Sequence, residues 1–465
     1  MRKITLGFVP LHREPFDEDW AVELRRRFLD ALSEVENLDL VYPDENFTKR
    51  GLVRDDEDAD KVIELFKSRG VDGLLLGTMT FGDEVAGARI ADALRKPIMV
   101  FATKEPPISP EGFRKSDSFC GTLSLTSALY RRGLPFSFLG VVYPEDEVFR
   151  EGVERFMRVC SIVGGFKGAN IGLIGLRPER FETCSFDEVA MIKSFGQKLV
   201  PVDLSQVALD VEALEDGDPE LLEVLEDLKK RADASEIPSE KLKLMAKVET
   251  VLRRIFRDKK LSAAGIRCWL EFQQMYGIVV CHILGRLTDS GLITACESDI
   301  YGALTMLIQY LASLETTPPH FVDWTIRHPE KDNLVLLWHC GNAPPSLACQ
   351  GCPVKLRYHS IICRQLGVEK TYGTGEFRLK PGVVTINRLA EYDGEFKLLI
   401  TKGRVVEEPL YTRGSYSWVE VEDLDRLYRV LVEEGFVHHA SMIHGDYTRE
   451  ILEACRFLGI KPVVV

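Results

Sequence analysis

Residues 71–83 read VDGLLLGTMTFGD and contain the transition that decides the fold. Val71–Leu76 is a short apolar run typical of a strand buried on both faces, and small and polar residues follow it at once. A helical pattern precedes the run at Glu57–Arg69, and another follows the loop. A buried strand between two helices is the repeating unit of a parallel sheet with helices on both faces.

The same alternation continues on both sides of this unit. Further strands are predicted at Ile4–Pro10, Leu38–Tyr42 and Pro97–Ala102, with a helix at Asp17–Val35. We therefore predict a doubly wound α/β domain over residues 1–165. A second α/β domain, residues 166–316, is predicted after a glycine-rich linker at residues 164–168.

The last third of the chain has a different pattern. Residues 317–465 contain short runs of alternating apolar and polar residues, which are typical of antiparallel strands, and two helical segments near the end. Asp393-Gly394 and Lys402-Gly403 are predicted as hairpin turns. The predicted fold is two doubly wound α/β domains followed by a C-terminal β-rich domain.

Composition and charge exclude several classes of partner. The chain has 465 residues and a formal net charge of −13, which disfavours binding to nucleic acid. No segment approaches the roughly 18–20 consecutive apolar residues that span a bilayer. The N-terminal segment also lacks the apolar core and cleavage site of a signal peptide. We expect a cytoplasmic protein with a small-molecule substrate and no membrane partner.

The 11 cysteines are expected to be mostly buried, reduced thiols, because disulfide scaffolds belong to small secreted proteins. Cys349-Gln350-Gly351-Cys352 has a spacing seen in zinc sites and in redox motifs. No second such pair and no thioredoxin-like pattern accompanies it. Structural zinc therefore stays an alternative, and reduced, partly buried thiols are the favoured interpretation.

Acidic residues and histidines at the ends of regular elements are the candidates for chemistry. Asp299 directly precedes an apolar helix, so it is either a helix N-cap or a functional acid. Glu297 lies two residues earlier and shares a face with Asp299 if the strand continues. Two unpaired carboxylates near an apolar core are costly, and a divalent cation would remove that cost.

His438 and His439 pose a similar choice between a structural and a ligating role. Adjacent residues of a strand point to opposite faces, so we expect at most one of the two to reach a given site. Oxygen-rich sites with one imidazole favour Mn²⁺, Mg²⁺ or Co²⁺ over zinc–thiolate chemistry. Such a cation can hold two neighbouring sugar oxygens while carboxylates move a proton between C1 and C2.

Two N-terminal loops are a further candidate. His12-Arg13-Glu14 and the loop after Leu76 both follow the carboxyl ends of predicted parallel strands, which is where ligands bind in doubly wound sheets. The alternative interpretation is that both loops are only polar connections between elements.

Several stretches in this order resemble the L-fucose isomerase family and, more distantly, L-arabinose isomerase. They are Phe186-Asp187-Glu188 to Asp203-Leu204, Arg267-Cys268-Trp269 to Glu271, Ala295 to Asp299 with Gly302 to Met306, His339-Cys340-Gly341-Asn342, Gly382 to Thr385, and His438-His439 with Gly445-Asp446.

This resemblance implies a metal-dependent aldose–ketose isomerase that acts through an enediol, with a site between domains and often completed by a neighbouring subunit. It assigns Mn²⁺, or Mg²⁺ or Co²⁺ in its place, to Glu271, Asp299 and His439, and makes the two acids the proton-transfer groups. His339 is a candidate second imidazole by analogy with L-arabinose isomerases. The same analogy gives substrate contacts at Arg13, Thr80, Phe81, Asp83, Asn342 and His438, and a homo-oligomer, trimeric or hexameric.

His438 stands where fucose isomerases carry an amide, so the identity of the sugar is open. Two other functions stay in view. One is an epimerase or aldolase on the same scaffold, and the other is a non-catalytic sugar-binding protein.

Overall fold

The computed structural model describes residues 1–465. It divides into two compact units, which are described separately below. Unit 1 comprises Met1–Gly164 with Glu453–Leu458, and unit 2 comprises Gly165–Leu452 with Gly459–Val465. None of the helices combines the length and the apolar character that crossing a bilayer requires.

Unit 1 is built on a five-stranded, all-parallel sheet in the order β2-β1-β3-β4-β5. Its strands are β1 Ile4–Leu11, β2 Leu38–Val41, β3 Gly73–Thr78, β4 Ile98–Thr103 and β5 Ser137–Val142. The helices are α1 Glu18–Ser33, α2 Asp56–Arg69, α3 Glu84–Leu94, α4 Ser118–Arg131 and α5 Glu147–Phe166. Every residue of β3 is buried, as its apolar run predicts. The predicted parallel sheet is confirmed.

Helix α4 passes very close to the loop that follows β3. A Cβ added at Gly121 would lie 1.5 Å from the backbone oxygen of Phe81. We expect Gly121→Ala to push this loop aside and to lower the free energy of unfolding by about 1–3 kcal/mol. Gly164→Ala is the matched control within unit 1, because the nearest side-chain atoms there are 3.9 and 4.0 Å away. Urea unfolding measures both variants, and equal stability of the two would contradict the expectation.

Unit 2 begins with a four-stranded parallel sheet in the order β7-β6-β8-β9. Its strands are β6 Asn170–Ile174, β7 Lys198–Val202, β8 Ala263–Ile266 and β9 Ile293–Ala295. The helices are α6 Glu188–Phe195, α7 Leu204–Ala213, α8 Pro219–Arg231, α9 Ser239–Asp258, α10 Glu271–Tyr276, α11 Cys281–Asp289 and α12 Ile300–Ala312. The buried Arg286 side chain joins α11 to α9 through an ion pair with Glu249, at 2.7 Å.

The remainder of unit 2 is a nine-stranded sheet in the order β12-β13-β16-β11-β10-β17-β14-β15-β18. Its strands are β10 His320–Arg327, β11 Leu334–His339, β12 Lys355–Tyr358, β13 Tyr372–Arg378, β14 Gly382–Tyr392, β15 Glu395–Val406, β16 Ser415–Val421, β17 His439–His444 and β18 Lys461–Val464. An additional pairing of β15 with β16 closes six of these strands into a ring. The helices of this part are α13 Cys363–Leu366 and α14 Leu424–Glu433. The last helix, α15 Thr448–Leu458, begins in unit 2, and its residues Glu453–Leu458 belong to unit 1.

The predicted hairpin turn at Asp393-Gly394 joins β14 and β15, as the register of these strands shows. The prediction of a second turn at Lys402-Gly403 is wrong, because β15 runs through both residues. Gly403 serves another purpose there. A Cβ at this position would lie 2.6 Å from Val419 Cγ1, so the glycine allows β16 to approach closely.

The predicted fold class is confirmed, with two parallel α/β sheets and a large C-terminal sheet. Each of the three predicted segments contains its own sheet, and the second and third segments belong to one compact unit. Nine cysteines are free, as expected for most of them. The expectation of reduced thiols is wrong for Cys349 and Cys352, which form a disulfide. The left-handed Gly351 turns the chain so that their Cα atoms lie 5.2 Å apart.

Candidate functional site

The loop after β9 directs the Glu297 carboxylate into unit 2. The strand does not continue to Asp299, so the condition for a face shared by Glu297 and Asp299 is not met. Glu297 and Ser298 both have left-handed backbone angles, with φ of 56° and 58°. Two consecutive non-glycine residues in this region are strained, and such strain clusters at functional sites. The turn buries Glu297 beyond the carboxyl ends of β8 and β9.

The two carboxylate oxygens of Glu297 have different surroundings. Oε1 accepts hydrogen bonds from Trp269 Nε1, at 3.3 Å, and from Cys268 Sγ, at 3.5 Å. Oε2 is buried and has no hydrogen-bond partner. It lies 3.7 Å from His339 Nε2 and 3.7 Å from His439 Nε2. An unpartnered buried oxygen of a charged group is costly unless a further ligand satisfies it.

Asp323 provides a second such oxygen. It is paired directly opposite His439 between β10 and β17, so the two side chains share a face of the sheet. Asp323 Oδ1 is buried without a hydrogen-bond partner and lies 3.8 Å from His439 Nε2. Ligands at about 2.0–2.2 Å from one cation are separated by roughly 3–4 Å. The distances from His439 Nε2 to Glu297 Oε2 and to Asp323 Oδ1 both fall in that range.

His439 is held in the tautomer that a metal ligand requires. Its Nδ1 donates to Asp299 Oδ2 at 2.7 Å, which leaves the Nε2 lone pair free. Asp299 in turn accepts from the backbone N–H of Gly302 at 2.8 Å and from both terminal nitrogens of Arg388, at 2.5 and 3.2 Å. Asp299 is therefore the N-cap of α12 and the group that orients His439.

His339 has the opposite arrangement. Its Nδ1 accepts the backbone N–H of Cys340 at 2.9 Å, so Nε2 carries the proton and faces Glu297. Burial acts to lower the pKa of His339, but the nearby Asp323 and Glu297 carboxylates outweigh burial and raise that pKa. His339 is suited to hold a proton beside Glu297.

The two acids of the Glu297–Asp299 turn are both held ionised. Burial acts to raise the pKa of Glu297, but the His339 imidazole, whose Nε2 carries a proton, and the hydrogen bond from Trp269 oppose burial, and that pKa is lowered to about 2. Burial likewise opposes ionisation of Asp299, and the Arg388 guanidinium holds the pKa of that carboxyl well below its usual range. Asp299 already has a counter-ion in Arg388, whereas Glu297 keeps one oxygen, Oε2, without a hydrogen-bond partner.

Of the three residues that the family resemblance assigns to the metal, the structure brings Asp299 and His439 together. Glu271 is not in contact with either of them. It begins α10 and pairs with Arg267, whose Nε donates to Glu271 Oε2 at 2.5 Å. The side chain of Glu271 is 35% exposed, whereas that of Glu297 is 8% exposed.

His438 reaches the same site as His439, and the expectation that only one of the two imidazoles does so is wrong. Their ring centroids lie 4.3 Å apart, and both rings lie near the Asp323 carboxylate. His438 precedes the first residue of β17, so the alternation of faces within a strand does not apply to it. Phe181 packs against both imidazoles, with centroid distances of 5.8 and 5.6 Å.

Asn342 is close to Cys296, the residue that precedes Glu297, and both ends of its amide have partners in the protein. Its Oδ1 lies 3.2 Å from His320 Nε2, and its Nδ2 lies 3.5 Å from Cys296 Sγ. Asn342 is buried, at 4% exposure.

The other four predicted substrate contacts lie together in unit 1. They follow β1 and β3, the two strands between which the order of the sheet reverses, and ligands of doubly wound sheets bind at that point. Thr80 Oγ1 accepts the Arg13 backbone N–H at 3.3 Å and lies 2.9 Å from His12 Nδ1. The Arg13 guanidinium stacks over Phe81 at 5.3 Å and pairs with Asp83 at 3.2 Å. His12 Nε2 is buried and unpartnered.

Asp323, Arg388 and Phe181 were not anticipated from the sequence. The sequence could have indicated Asp323, because it is an acid within the apolar run from His320 to Trp324. It could have indicated Arg388 in the same way, since a charged residue interrupts the apolar strand β14. Both signals consist of a single charged residue in a buried strand. Asp323 and Arg388 lie inside strands, whereas the acids predicted from the sequence stand where elements end.

The molecule thus combines parallel α/β sheets, a closed ring of strands and a buried set of carboxylates and imidazoles. Comparison with known proteins identifies its class. Residues 7–167 match the family model of the fucose/sulfoquinovose isomerase N-terminal domain, and residues 337–464 match that of the L-fucose isomerase C-terminal domain. The protein is an isomerase. The chain belongs to the fucose/sulfoquinovose isomerase superfamily.

Similar proteins extend this match over the whole chain. A sulfoquinovose isomerase of Alkalicoccus urumqiensis is 28% identical over 462 residues, which cover 99% of both chains. A sulfoquinovose isomerase of Priestia aryabhattai is 25% identical over 466 residues and covers 100% of both. A third, from Clostridium sp. (strain MSTE9), is 27% identical over 403 residues, covering 84% of this chain and 86% of that protein.

Proposed function

We propose that the protein is a divalent-metal-dependent aldose–ketose isomerase that acts on a free monosaccharide through an enediol(ate). The observation that carries this proposal is the group formed by Glu297 Oε2, Asp323 Oδ1 and His439 Nε2. The two carboxylate oxygens are buried and unpartnered, and each lies 3.7–3.8 Å from the imidazole nitrogen. Two carboxylates and one neutral imidazole are a donor set for Mn²⁺, with Mg²⁺ and Co²⁺ as alternatives.

When bound, such a cation supplies the Lewis acidity that stabilises negative charge on the sugar oxygens. The protein supplies the remainder of the chemistry. Asp299 orients His439, and His339 holds a proton on Nε2 at 3.7 Å from Glu297 Oε2. We assign the proton transfer between C1 and C2 to Glu297 and Asp323. Asp299 is less suited to that role than the resemblance implies, because its carboxylate already accepts from Gly302, Arg388 and His439.

The aromatic side chains around the site support a reaction shielded from water. Phe181 packs against Trp269 at 5.7 Å, and Phe321 packs against His439 at 4.8 Å. Exclusion of water strengthens the electrostatic interactions of the buried carboxylates and protects a reactive enediol. The substrate contacts that the family resemblance gives at Arg13, Thr80, Phe81 and Asp83 are kept as a separate proposal for unit 1.

The substrate is proposed from the relatives. Because the similar proteins described above are named sulfoquinovose isomerases, a sulfonated aldohexose is the first substrate to test, followed by unsubstituted aldohexoses and aldopentoses. The homo-oligomer that the family resemblance implies can be tested by light scattering on the same preparations.

The deciding experiment is removal and return of the metal. We expect aldose–ketose conversion to be lost after EDTA treatment and dialysis, and to be restored by Mn²⁺, because in the proposed mechanism the cation supplies the Lewis acidity that stabilises charge on the sugar oxygens. NMR in D₂O follows the conversion and shows which carbon gains deuterium, which separates an isomerase from an epimerase. Full activity in a preparation that mass spectrometry shows to be metal-free would contradict the metal dependence.

A further inference from the structure

A second set of metal-ligand atoms lies on the other side of the Glu297 carboxylate. The Cys268 and Cys296 sulfurs and a Glu297 oxygen all lie within 4.8 Å of one another. All three residues are buried, with exposures of 5%, 1% and 6%. Both thiols are free, and neither is part of the proposed isomerase site.

The positions of these sulfurs follow from the fold. Cys268 follows the carboxyl end of β8, Cys296 follows the carboxyl end of β9, and the two strands are parallel neighbours. Cys268 Sγ donates to Glu297 Oε1 at 3.5 Å, and Cys296 Sγ accepts from Asn342 Nδ2 at 3.5 Å. A tetrahedral cation with sulfur at about 2.3 Å and oxygen at about 2.0–2.2 Å separates those ligands by roughly 3.5 Å. The 3.5 Å between Cys268 Sγ and Glu297 Oε1 matches that value, and the ligand atoms of all three residues lie within 4.8 Å of one another.

We propose that Cys268, Cys296 and Glu297 form a binding site for a thiophilic divalent cation such as Zn²⁺ or Cd²⁺. Binding forms two metal–sulfur bonds and one metal–oxygen bond and releases the two thiol protons to solvent. Thiolate sulfur selects these softer cations over Mn²⁺ and Mg²⁺, so the site discriminates against the ion of the neighbouring centre.

Glu297 couples the two centres. Its Oε1 faces the sulfurs, whereas its Oε2 faces His339 and His439. A thiophilic cation on Oε1 draws charge away from Oε2 and places a second positive charge beside the proposed isomerase metal. Thiophilic cations therefore inhibit the isomerase by weakening its own metal. This consequence rests on the proposed function, whereas binding of the cation does not.

Cadmium is the probe, because cadmium thiolates have an ultraviolet charge-transfer band. The parent protein for the experiment carries Cys349→Ser and Cys352→Ser, so that the loop sulfurs do not contribute. We expect titration of this reduced protein with Cd²⁺, in excess Mn²⁺, to produce the band with one cadmium bound. The band is absent from the parent with Cys268→Ser and Cys296→Ser added. It is retained in the matched control with Cys160→Ser and Cys455→Ser, two buried thiols of unit 1.

Cadmium NMR tests the parent protein, in which Cys268 and Cys296 are both present. The chemical shift of a cadmium ion with two sulfur ligands differs from that of a cadmium ion with none. A two-sulfur shift supports the proposal. A cadmium without sulfur ligands, or a band that persists without Cys268 and Cys296, overturns it. Where isomerase activity is present, the Cys268→Ser/Cys296→Ser protein needs at least about tenfold more Cd²⁺ for half inhibition. If no sugar is isomerised, the proposed function fails while the band still tests the site.

Discussion

Glu297→Gln is expected to lower the kcat/KM for sugar isomerisation by about 1,000-fold or more, whereas Glu271→Gln lowers it by less than about tenfold. The amide removes the charge from the buried oxygen that faces His339 and His439. In Glu271 the same change affects a partly exposed carboxylate that pairs with Arg267. Conversion assays with saturating Mn²⁺ measure both variants, and mass spectrometry of the purified proteins measures their metal content.

The two variants are isosteric, so each is the control for the other. We expect Asp323→Asn to follow Glu297→Gln, since Asp323 provides the other unpartnered oxygen beside His439 Nε2. The opposite result would be loss of metal and activity in Glu271→Gln, with both retained in Glu297→Gln. That result would favour the ligand set implied by the family resemblance over the proposed set of Glu297, Asp323 and His439.

The disagreement over these acids shows what the sequence could predict. The grouping of acids and imidazoles was predictable, because His439 and the Glu297–Asp299 turn stand out as polar residues in apolar surroundings. The assignment of roles was not. Which acid faces Nδ1 of His439 and which faces Nε2 depends on the left-handed backbone of Glu297 and Ser298, and no helix or strand propensity encodes that turn.

The parallel sheets were easier to predict from the sequence than the closed ring of strands, for a similar reason. Apolar runs such as β3 are buried along their whole length and are recognisable from sequence alone. The closure of β15 onto β16 depends on the pairing of distant strands and on a glycine, Gly403, that resembles a turn residue locally. Asp323 was missed because its importance arises only when β10 pairs with β17 and sets it opposite His439.

Asp299→Asn is expected to have a different effect from loss of a direct ligand. Asp299 orients His439 Nδ1 and pairs with the buried Arg388, whose side chain is 2% exposed. Second partners of metal-ligating histidines typically contribute about 10–100-fold to metal affinity, so we expect the Kd for Mn²⁺ to rise by that factor. Much of the kcat should return at high Mn²⁺ concentration, which does not occur with Glu297→Gln.

The same substitution leaves a buried charge on Arg388 without its counter-ion, and breaking a buried ion pair in this way costs about 3–5 kcal/mol of unfolding free energy. Arg388→Met added to Asp299→Asn removes that charge and should recover part of the stability, but not the Mn²⁺ affinity, because His439 still lacks its anionic partner. Calorimetric titration and urea unfolding of the two variants separate these effects. Recovery of Mn²⁺ affinity in the double variant would show that Asp299 acts on the metal centre only by neutralising Arg388, and not by orienting His439.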